Sequence, residues 1–205
     1  MKQFDFPVIV LAAGASRRMR GRDKLLENVD GMPLVRVQAM KARAATLAGV
    51  FVTLPQAPHA RYEALVGLDL TTVPVPDAAE GLSASLRRGL DALPEDTARV
   101  MVLLADLPDI TVQDMKIVAQ AIEKDTDAQV WRGMTEGGKP GHPIVFDSAV
   151  FGALKNLTGD GGAKELLAGR DLCQVPLPGN RALADLDTPE DWATWRARRT
   201  QTSRS

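Results

Sequence analysis

The sequence predicts an α/β fold: a single three-layer α/β/α domain with a mostly parallel central sheet. Short apolar runs rich in β-branched residues recur at Val8–Ala12, Val50–Leu54 and Val100–Leu104. Runs of this length and composition suit strands that are buried on both faces of a parallel sheet. Amphipathic stretches separate these runs, and the alternation predicts helices on both faces of the sheet. Ligands of such sheets bind beyond the carboxyl ends of the strands, where the loops after Ala12, Val75 and Leu104 should meet.

The composition is that of one ordinary globular domain. The chain has 205 residues and a formal net charge of −1, which argues against a nucleic-acid partner. Cys173 is the only cysteine, so an intramolecular disulfide is impossible and a reducing compartment fits. The sequence shows neither a signal peptide nor an apolar stretch approaching the roughly 20 residues of a membrane span. We therefore expect a cytoplasmic protein with one domain over residues 1–198 and a disordered basic tail over residues 199–205.

The segment after the first strand predicts a turn and two helices. Leu25–Val29 is short and extended, and the Asp30-Gly31 pair that follows is a turn signal. Pro33 suits the first turn of a helix that runs to about Ala48. The expected inward face of this helix consists of apolar residues that recur every three or four positions, Leu34, Val37, Met40, Ala44 and Leu47. A second helix is predicted over His59–Val66.

Two prolines and a serine shape the next elements. Pro74 and Pro76 restrict the strand Thr71–Val75 to a short or edge position, because proline cannot donate to a sheet ladder. Ser83 is the expected N-cap of a helix that ends near Leu93.

The second half continues the alternation around the most apolar run, Val100–Leu104, which should be the central strand. The helix Thr111–Lys124 should turn Ile117, Val118 and Ala121 inward. Further strands are predicted at Gln129–Gly133, His142–Phe146 and Leu172–Val175, and further helices at Ser148–Leu154 and Gly162–Ala168. Thr188 and Pro189 suit the N-cap and the first position of the last helix.

The turn after the first strand has the composition of an anion-binding loop. Residues 13–16 are small, so the backbone can bend sharply and approach a ligand closely. Consecutive free N–H groups form anion-binding concavities, and Arg17, Arg18 and Lys24 add positive charge. Neither a P-loop nor a dinucleotide fingerprint is present. The loop therefore predicts a phosphate site, with an ordinary turn carrying solvated arginines as the alternative.

Two acidic segments are candidates for a metal site. Asp106 follows the predicted central strand, at the edge where ligands bind. Mg²⁺ prefers one or two carboxylates, waters and substrate phosphates. Asp185, Asp187 and Asp191 lie just before or within the first turn of the last helix, where the helix dipole alone would favour acids. A carboxylate that only caps a turn is the alternative interpretation of Asp106.

Several motifs, in order along nearly the whole chain, resemble those of the molybdenum cofactor cytidylyltransferases and their guanylyltransferase relatives in the MobA-like NTP transferase superfamily. The motif-bearing segments are Leu11–Met19 with Lys24, Gly81–Leu86, Gly137–Phe146, Gly159–Ala163 and Asp185–Asp191. Gly21 and Lys24 each stand one residue later than in the family pattern. The resemblance implies a Rossmann-like fold of the nucleotide-diphospho-sugar transferase type.

The resemblance also implies a reaction and its residues. CMP would pass from CTP to the phosphate of molybdopterin with release of pyrophosphate, and Mg²⁺ would be the cofactor. The implied catalytic residues are Arg18, Lys24 and Asp106, and the implied metal ligands are Asp106 and Asp187, with Asp185 as substitute. The implied nucleotide-binding residues are Leu11, Ala12, Ala13, Gly14, Lys24, Gly81, Ser83 and Ser85. The implied acceptor-binding residues are Gly141, His142 and Pro143. A molybdoenzyme or its maturation chaperone would be a transient partner.

The residue at position 13 bears on the choice of base. The related guanylyltransferases typically carry glycine where this chain has Ala13, and a methyl group there favours cytosine over a purine. Three alternatives stay open: a GTP-dependent molybdopterin guanylyltransferase, a cytidylyltransferase for sugar or alditol phosphates, and a non-catalytic nucleotide-binding module.

Overall fold

The computed structural model describes residues 2–158 and 170–202, and a seven-stranded sheet forms its centre. The strands of the described residues are β1 (Val8–Leu11), β2 (Asn28–Val29), β3 (Met32–Pro33), β4 (Val50–Pro55), β5 (Thr71–Val75), β6 (Arg99–Leu104), β7 (Val130–Met134), β8 (Pro140–Asp147) and β9 (Leu172–Pro176). The α-helices are α1 (Leu34–Ala45), α2 (Ala60–Leu65), α3 (Leu82–Asp91), α4 (Val112–Lys124), α5 (Phe151–Lys155) and α6 (Pro189–Thr202).

The strand order of the large sheet is β5-β4-β1-β6-β8-β7-β9, and β2 and β3 form a separate hairpin. β8 pairs antiparallel with β6 and β7, while the other pairs in the sheet are parallel. The prediction of a mostly parallel sheet is confirmed. β6 lies at its centre and β5 at its edge, as predicted from the apolar run in β6 and the prolines near β5.

Helices cover both faces of the sheet. One face packs against α1, α4 and α6, with a core that includes Val8, Val10, Leu34, Met115 and Trp192. The opposite face packs against α3 and α5, with a core that includes Ile9, Leu11, Leu86, Leu90 and Leu154. Successive β1 residues therefore enter opposite cores, as the two-residue period of a strand requires.

The predicted inward face of α1 is confirmed at Leu34 and wrong at Met40, Ala44 and Leu47, while Val37 is half-buried and packs against the core. The buried residues of α1 are Leu34, Val35, Gln38, Ala39, Ala42 and Ala45. Met40 is 41% exposed, and Leu47 lies beyond the helix end and is 66% exposed. Small alanines let the helix lie close to the sheet. The polar Gln38 is accommodated because its Nε2 donates to the carbonyl oxygen of Leu107 at 2.6 Å.

The predicted capping role of Ser83 is also wrong. α3 begins two residues earlier than expected, and its N-cap is Gly81, whose φ of 109° is rarely adopted by residues with a side chain. Ser83 lies in the first turn, is buried, and accepts a hydrogen bond from Nη1 of Arg87 at 3.4 Å.

The last helix extends into the segment that was expected to be a disordered tail. α6 continues to Thr202, where residues 199–202 were expected to be unstructured. Arg199 pairs with Asp30 at 2.8 Å and lies over the ring of Trp195, which explains the continued order. The predicted helix Gly162–Ala168, the Gly159–Ala163 motif and residues 203–205 lie outside the described residues. No helix within the described residues is long and apolar enough to cross a membrane.

Candidate active site

The loops after β1, β5 and β6 meet at one edge of the sheet, as predicted. The loops after β1 and β5 line a cavity of about 820 Å³. A smaller cavity of about 110 Å³ adjoins it beside the ends of β1 and β6. Residues that line both cavities are Ala13, Gly14, Lys24, Leu82 and Ser85. The larger cavity also contacts Arg17, Arg18, Arg22 and Asp187, so basic side chains dominate its charged lining.

The loop after β1 offers backbone N–H groups to the larger cavity. Two single turns of 3₁₀ helix, Arg17–Met19 and Lys24–Leu26, follow the small residues. The N–H groups of residues 13–16 have no acceptor in the part of the chain that the structure describes. Ser16 adopts a left-handed conformation with a φ of 52°, which helps the loop to curl. This arrangement has the geometry of the concavity expected from the sequence, and its anion-binding role stays a prediction.

Lys24 brings the two predicted acidic residues together. Its Nζ donates to Oδ2 of Asp106 at 2.5 Å and to Oδ1 of Asp187 at 2.6 Å. These three side chains are only 13–17% exposed. Arg18, which is largely exposed, forms a second ion pair with Asp187. The one-residue displacement of Lys24 from the family pattern therefore does not prevent its contact with either carboxylate.

Two backbone features position Asp187. The N–H of Leu186 donates to the carbonyl oxygen of Asp106 at 3.1 Å, which joins the two acidic segments. Asp187 lies immediately before the cap of α6, and its N–H donates to Oδ2 of Asp191 at 3.1 Å. Thr188 caps α6 as predicted, since its Oγ1 accepts from the N–H of Asp191 at 3.1 Å.

The charges of the cluster are set by mutual contact. For Lys24 the effect of burial is overcome by Asp106 and Asp187, so the pKa of Lys24 is raised. For Asp187 burial is likewise overcome by the hydrogen bond and charge of Lys24, and its pKa is lowered. The pKa of Asp185 is raised by burial and by its hydrogen bond to Asp187. Lys24 and Asp187 are therefore charged at neutral pH.

The acidic residues fit a divalent cation. Oδ1 of Asp106 is buried and has no hydrogen-bond partner in the described residues, which is costly for a carboxylate oxygen unless a cation approaches. Residues 2–158 and 170–202 contain no cluster of three or more His, Cys, Asp or Glu side chains suited to a metal. Two carboxylates suffice for Mg²⁺ when phosphates and waters complete its coordination. Asp106 and Asp187 are the pair that could hold it.

The other predicted nucleotide-binding residues differ in whether they line a cavity. Gly81 lines the larger cavity and Leu11 and Ala12 line the smaller one. Ser83 lines neither cavity, because its hydroxyl faces Arg87.

The predicted acceptor-binding residues line neither cavity. Gly141 and Pro143 are buried in β8, and a Cβ at Gly141 would lie 2.1 Å from the carbonyl oxygen of Ala182. Nδ1 of His142 lies 3.5 Å from the carbonyl oxygen of Val102. Burial lowers the pKa of His142 to about 4, so its imidazole is neutral at pH 7. Glycine at position 141 therefore has a packing reason, and the acceptor role of these residues stays a prediction.

Two residues of the site were not identified from the sequence. Arg61 is 1% exposed and pairs with Asp23, whose carboxylate accepts from Nε and Nη2 at 2.7 Å each. Although burial opposes it, the hydrogen bond and charge of Arg61 lower the pKa of Asp23. The sequence signal was weak: Asp23 is the one acidic residue in the basic segment 17–24, and its partner lies 38 positions away.

Comparison with known proteins identifies a matching family and several similar proteins. The family model of the MobA-like NTP transferase domain matches residues 8–175. A Synechococcus elongatus protein named "Probable molybdenum cofactor guanylyltransferase" is 27% identical over 197 residues, covering 92% of this chain and 96% of that protein. "Purine catabolism protein PucB" of Bacillus subtilis is 29% identical over 198 residues, covering 90% of this chain and 92% of its own.

A solved structure extends the likeness to three dimensions. The homolog of Mycobacterium tuberculosis Rv0371c from Mycobacterium sp. strain JC1 is 29% identical and superposes with a TM-score of 0.81. The match covers 96% of this chain and 98% of that one.

Proposed function

The chain belongs to the MobA-like NTP transferase family, and on this premise we propose that it transfers CMP from CTP to the phosphate of molybdopterin and releases pyrophosphate. The observation that carries the proposal is the contact of Lys24 with Asp106 and Asp187 beside a cavity lined by free N–H groups. A purely structural ion-pair cluster would not need the unpartnered donors and the unpartnered oxygen of Asp106 at the same place.

Different groups of the chain bind the nucleotide and neutralise its charge. The N–H groups of residues 13–16 bind the phosphates, and the exposed guanidinium of Arg18 neutralises charge that develops on the leaving pyrophosphate. Lys24 lies within reach of the same phosphates and can exchange carboxylate partners for phosphate oxygens. Alignment and charge neutralisation then supply the catalysis, as is usual in phosphoryl-group chemistry.

Asp106 and Asp187 would hold the Mg²⁺ that this chemistry calls for. When bound, the cation supplies charge neutralisation to the reacting phosphates. The carboxylates have a second role, which is to fix Lys24 where it lines both cavities.

The proposed nucleophile needs no general base. A phosphomonoester has a second pKa of about 6, so it is mostly ionised at neutral pH. His142 is neutral there because its pKa is about 4, and it can donate or accept one hydrogen bond but cannot neutralise a phosphate. We propose Gly141, His142 and Pro143 as neighbours of the acceptor that shape its pocket.

The acceptor is proposed from the relatives. The Synechococcus elongatus relative is named for the molybdenum cofactor, and the motifs between the ends of the chain resemble those of molybdopterin enzymes. A molybdoenzyme or its maturation chaperone is the proposed receiver of the product. A sugar or alditol phosphate is the competing acceptor class.

Ala13 supports CTP as the nucleotide. It lines both cavities, and its methyl group packs against Val75 and Ala84. The methyl group therefore cannot easily move aside to make room for a larger base. GTP is the second candidate, because the Synechococcus elongatus relative is named a guanylyltransferase. Product analysis with CTP or GTP, molybdopterin and Mg²⁺ tests both. Dinucleotide formation with CTP alone supports the proposal, and formation with GTP alone contradicts it.

We expect Ala13→Gly to shift the choice of base towards GTP. Removing the methyl group enlarges the space beside the base, and one methyl group is worth about tenfold or somewhat more in discrimination. The ratio of kcat/KM for CTP to that for GTP should therefore fall by about tenfold. Ala15→Gly, in the same loop, should change both rates alike. An unchanged ratio in Ala13→Gly would remove the steric basis for CTP.

A further inference from the structure

A buried ion pair connects both ends of the loop that follows β1. Beyond its two bonds to Asp23, the guanidinium of Arg61 donates from Nη1 to the carbonyl oxygen of Ala12 at 2.5 Å. Its Nη2 donates to the carbonyl oxygen of Gly14 at 2.8 Å and to Oγ of Ser16 at 3.2 Å. Every nitrogen of this guanidinium therefore donates to a group within the loop of residues 12–23.

These contacts set the direction of the loop's amides. In a trans peptide the carbonyl and the next N–H point in opposite directions. Since the carbonyl oxygens of Ala12 and Gly14 face Arg61, the N–H groups of Ala13 and Ala15 face away from it. Both residues line the larger cavity, and neither N–H has an acceptor within the described part of the chain.

The same pair sets the place of Lys24. Oδ1 of Asp23 accepts from the N–H of Leu25 at 2.9 Å and from Oγ of Ser16 at 3.1 Å. Oγ of Ser16 in turn accepts from the N–H of Lys24 at 3.2 Å. The turn that carries Lys24 is thus tied to Arg61 through Asp23, and the left-handed Arg20 and Gly21 lie between this turn and the preceding one.

We propose that Arg61 is a positioning residue that shapes the phosphate-binding loop before the nucleotide arrives. The inference rests on the proposed function and concerns the nucleoside triphosphate side of that site. Arg61 acts through the loop, because its charge is neutralised by Asp23 and its side chain is 1% exposed. A loop that is already shaped loses less entropy on binding, and this raises its affinity for the ligand.

Arg61→Lys tests the proposal, because lysine keeps the charge but cannot form the bidentate fork. We expect KM for CTP to rise by at least about tenfold, while KM for the acceptor stays within about twofold. Hydrogen exchange of the Met19, Lys24 and Leu25 amides, which bond inside the loop, should accelerate. Arg36→Lys is the matched control, since Arg36 bonds the carbonyl oxygens of Ala64 and Val66 near α2.

The control separates the loop from α2 as a whole. Equal acceleration of loop exchange in both variants would assign the effect to displacement of α2 and overturn the proposal. Unchanged loop exchange in Arg61→Lys would overturn it as well. If the wild-type protein binds no nucleoside triphosphate, the proposed function is wrong. The hydrogen-exchange measurement still shows whether Arg61 orders the loop.

A second variant covers the case in which Arg61→Lys does not fold. The double variant Arg61→Met with Asp23→Leu removes both charges of the pair, and such pairs can often be replaced by apolar residues without loss of stability. It should fold, exchange its loop amides faster, and bind CTP at least about tenfold more weakly. Wild-type CTP affinity in this variant would overturn the proposal.

Discussion

Asp106→Asn should lower turnover by about 10³-fold and leave the fold intact. The amide keeps the shape of the carboxylate but removes its negative charge, so the buried Oδ1 loses its affinity for a cation. Lys24 also loses one of its two anionic partners. Loss of charge stabilisation of this kind lowers a rate by about 10³-fold, which corresponds to about 4 kcal/mol at the transition state. The measurement is continuous detection of pyrophosphate from CTP and molybdopterin.

Asp109→Asn is the matched control for this experiment. Asp109 lies three residues further along the same loop, where it pairs with Arg198 and accepts from Nε1 of Trp195 at 2.7 Å. It contacts neither cavity, so its variant should retain turnover even if α6 docks less firmly. Circular dichroism of both variants tests the fold. Wild-type turnover in Asp106→Asn would exclude Asp106 from the reaction.

Lys24→Met should have an effect of similar size for a different reason. The substitution leaves Asp106 and Asp187 facing each other without the cation that now lies between them. Repulsion of this kind raises the pKa of one carboxyl group. The triphosphate loses a positive charge as well. We expect kcat/KM for CTP to fall by about 10²–10³-fold.

Lys41→Met provides the comparison for Lys24. Lys41 is another partly buried lysine, and its Nζ donates to the carbonyl oxygens of Pro108 and Ile110 at 2.7 and 2.8 Å. It contacts no carboxylate through these bonds and lies outside both cavities. Its variant should therefore keep kcat/KM within about threefold of wild type, as is common for changes away from a site. Equal losses of kcat/KM in both lysine variants would show a general effect on stability.

The residues of the charged cluster could be identified from the sequence because each lies next to the end of a secondary-structure element. Asp106 follows the most apolar strand, and Asp187 precedes the Thr188-Pro189 start of the last helix. The rule that ligands bind at the carboxyl edge of a parallel sheet then places them near Lys24. The family motifs predicted that the two carboxylates share one site, and the structure shows that both contact the same lysine.

Other features had no local signal. The inward face of α1 is built from alanines and Gln38, so the larger apolar residues pointed to the wrong side. Arg61 acquires its role from Asp23, and no periodicity or motif connects positions so far apart. Ser83 looked like a cap because its residue type is common there, but the positive φ of Gly81 begins the helix earlier.

The affinity of the protein for CTP, measured by calorimetry with MgCl₂ and with EDTA, tests most directly whether the two carboxylates and Lys24 surround a metal-bound triphosphate. Wild type should bind CTP more tightly with Mg²⁺, by at least about tenfold. Asp187→Asn should lose this difference and bind CTP in EDTA more tightly than wild type, because one repelling charge is gone. Equal CTP affinity in Mg²⁺ and EDTA for wild type, or an undiminished Mg²⁺ effect in Asp187→Asn, would contradict the account.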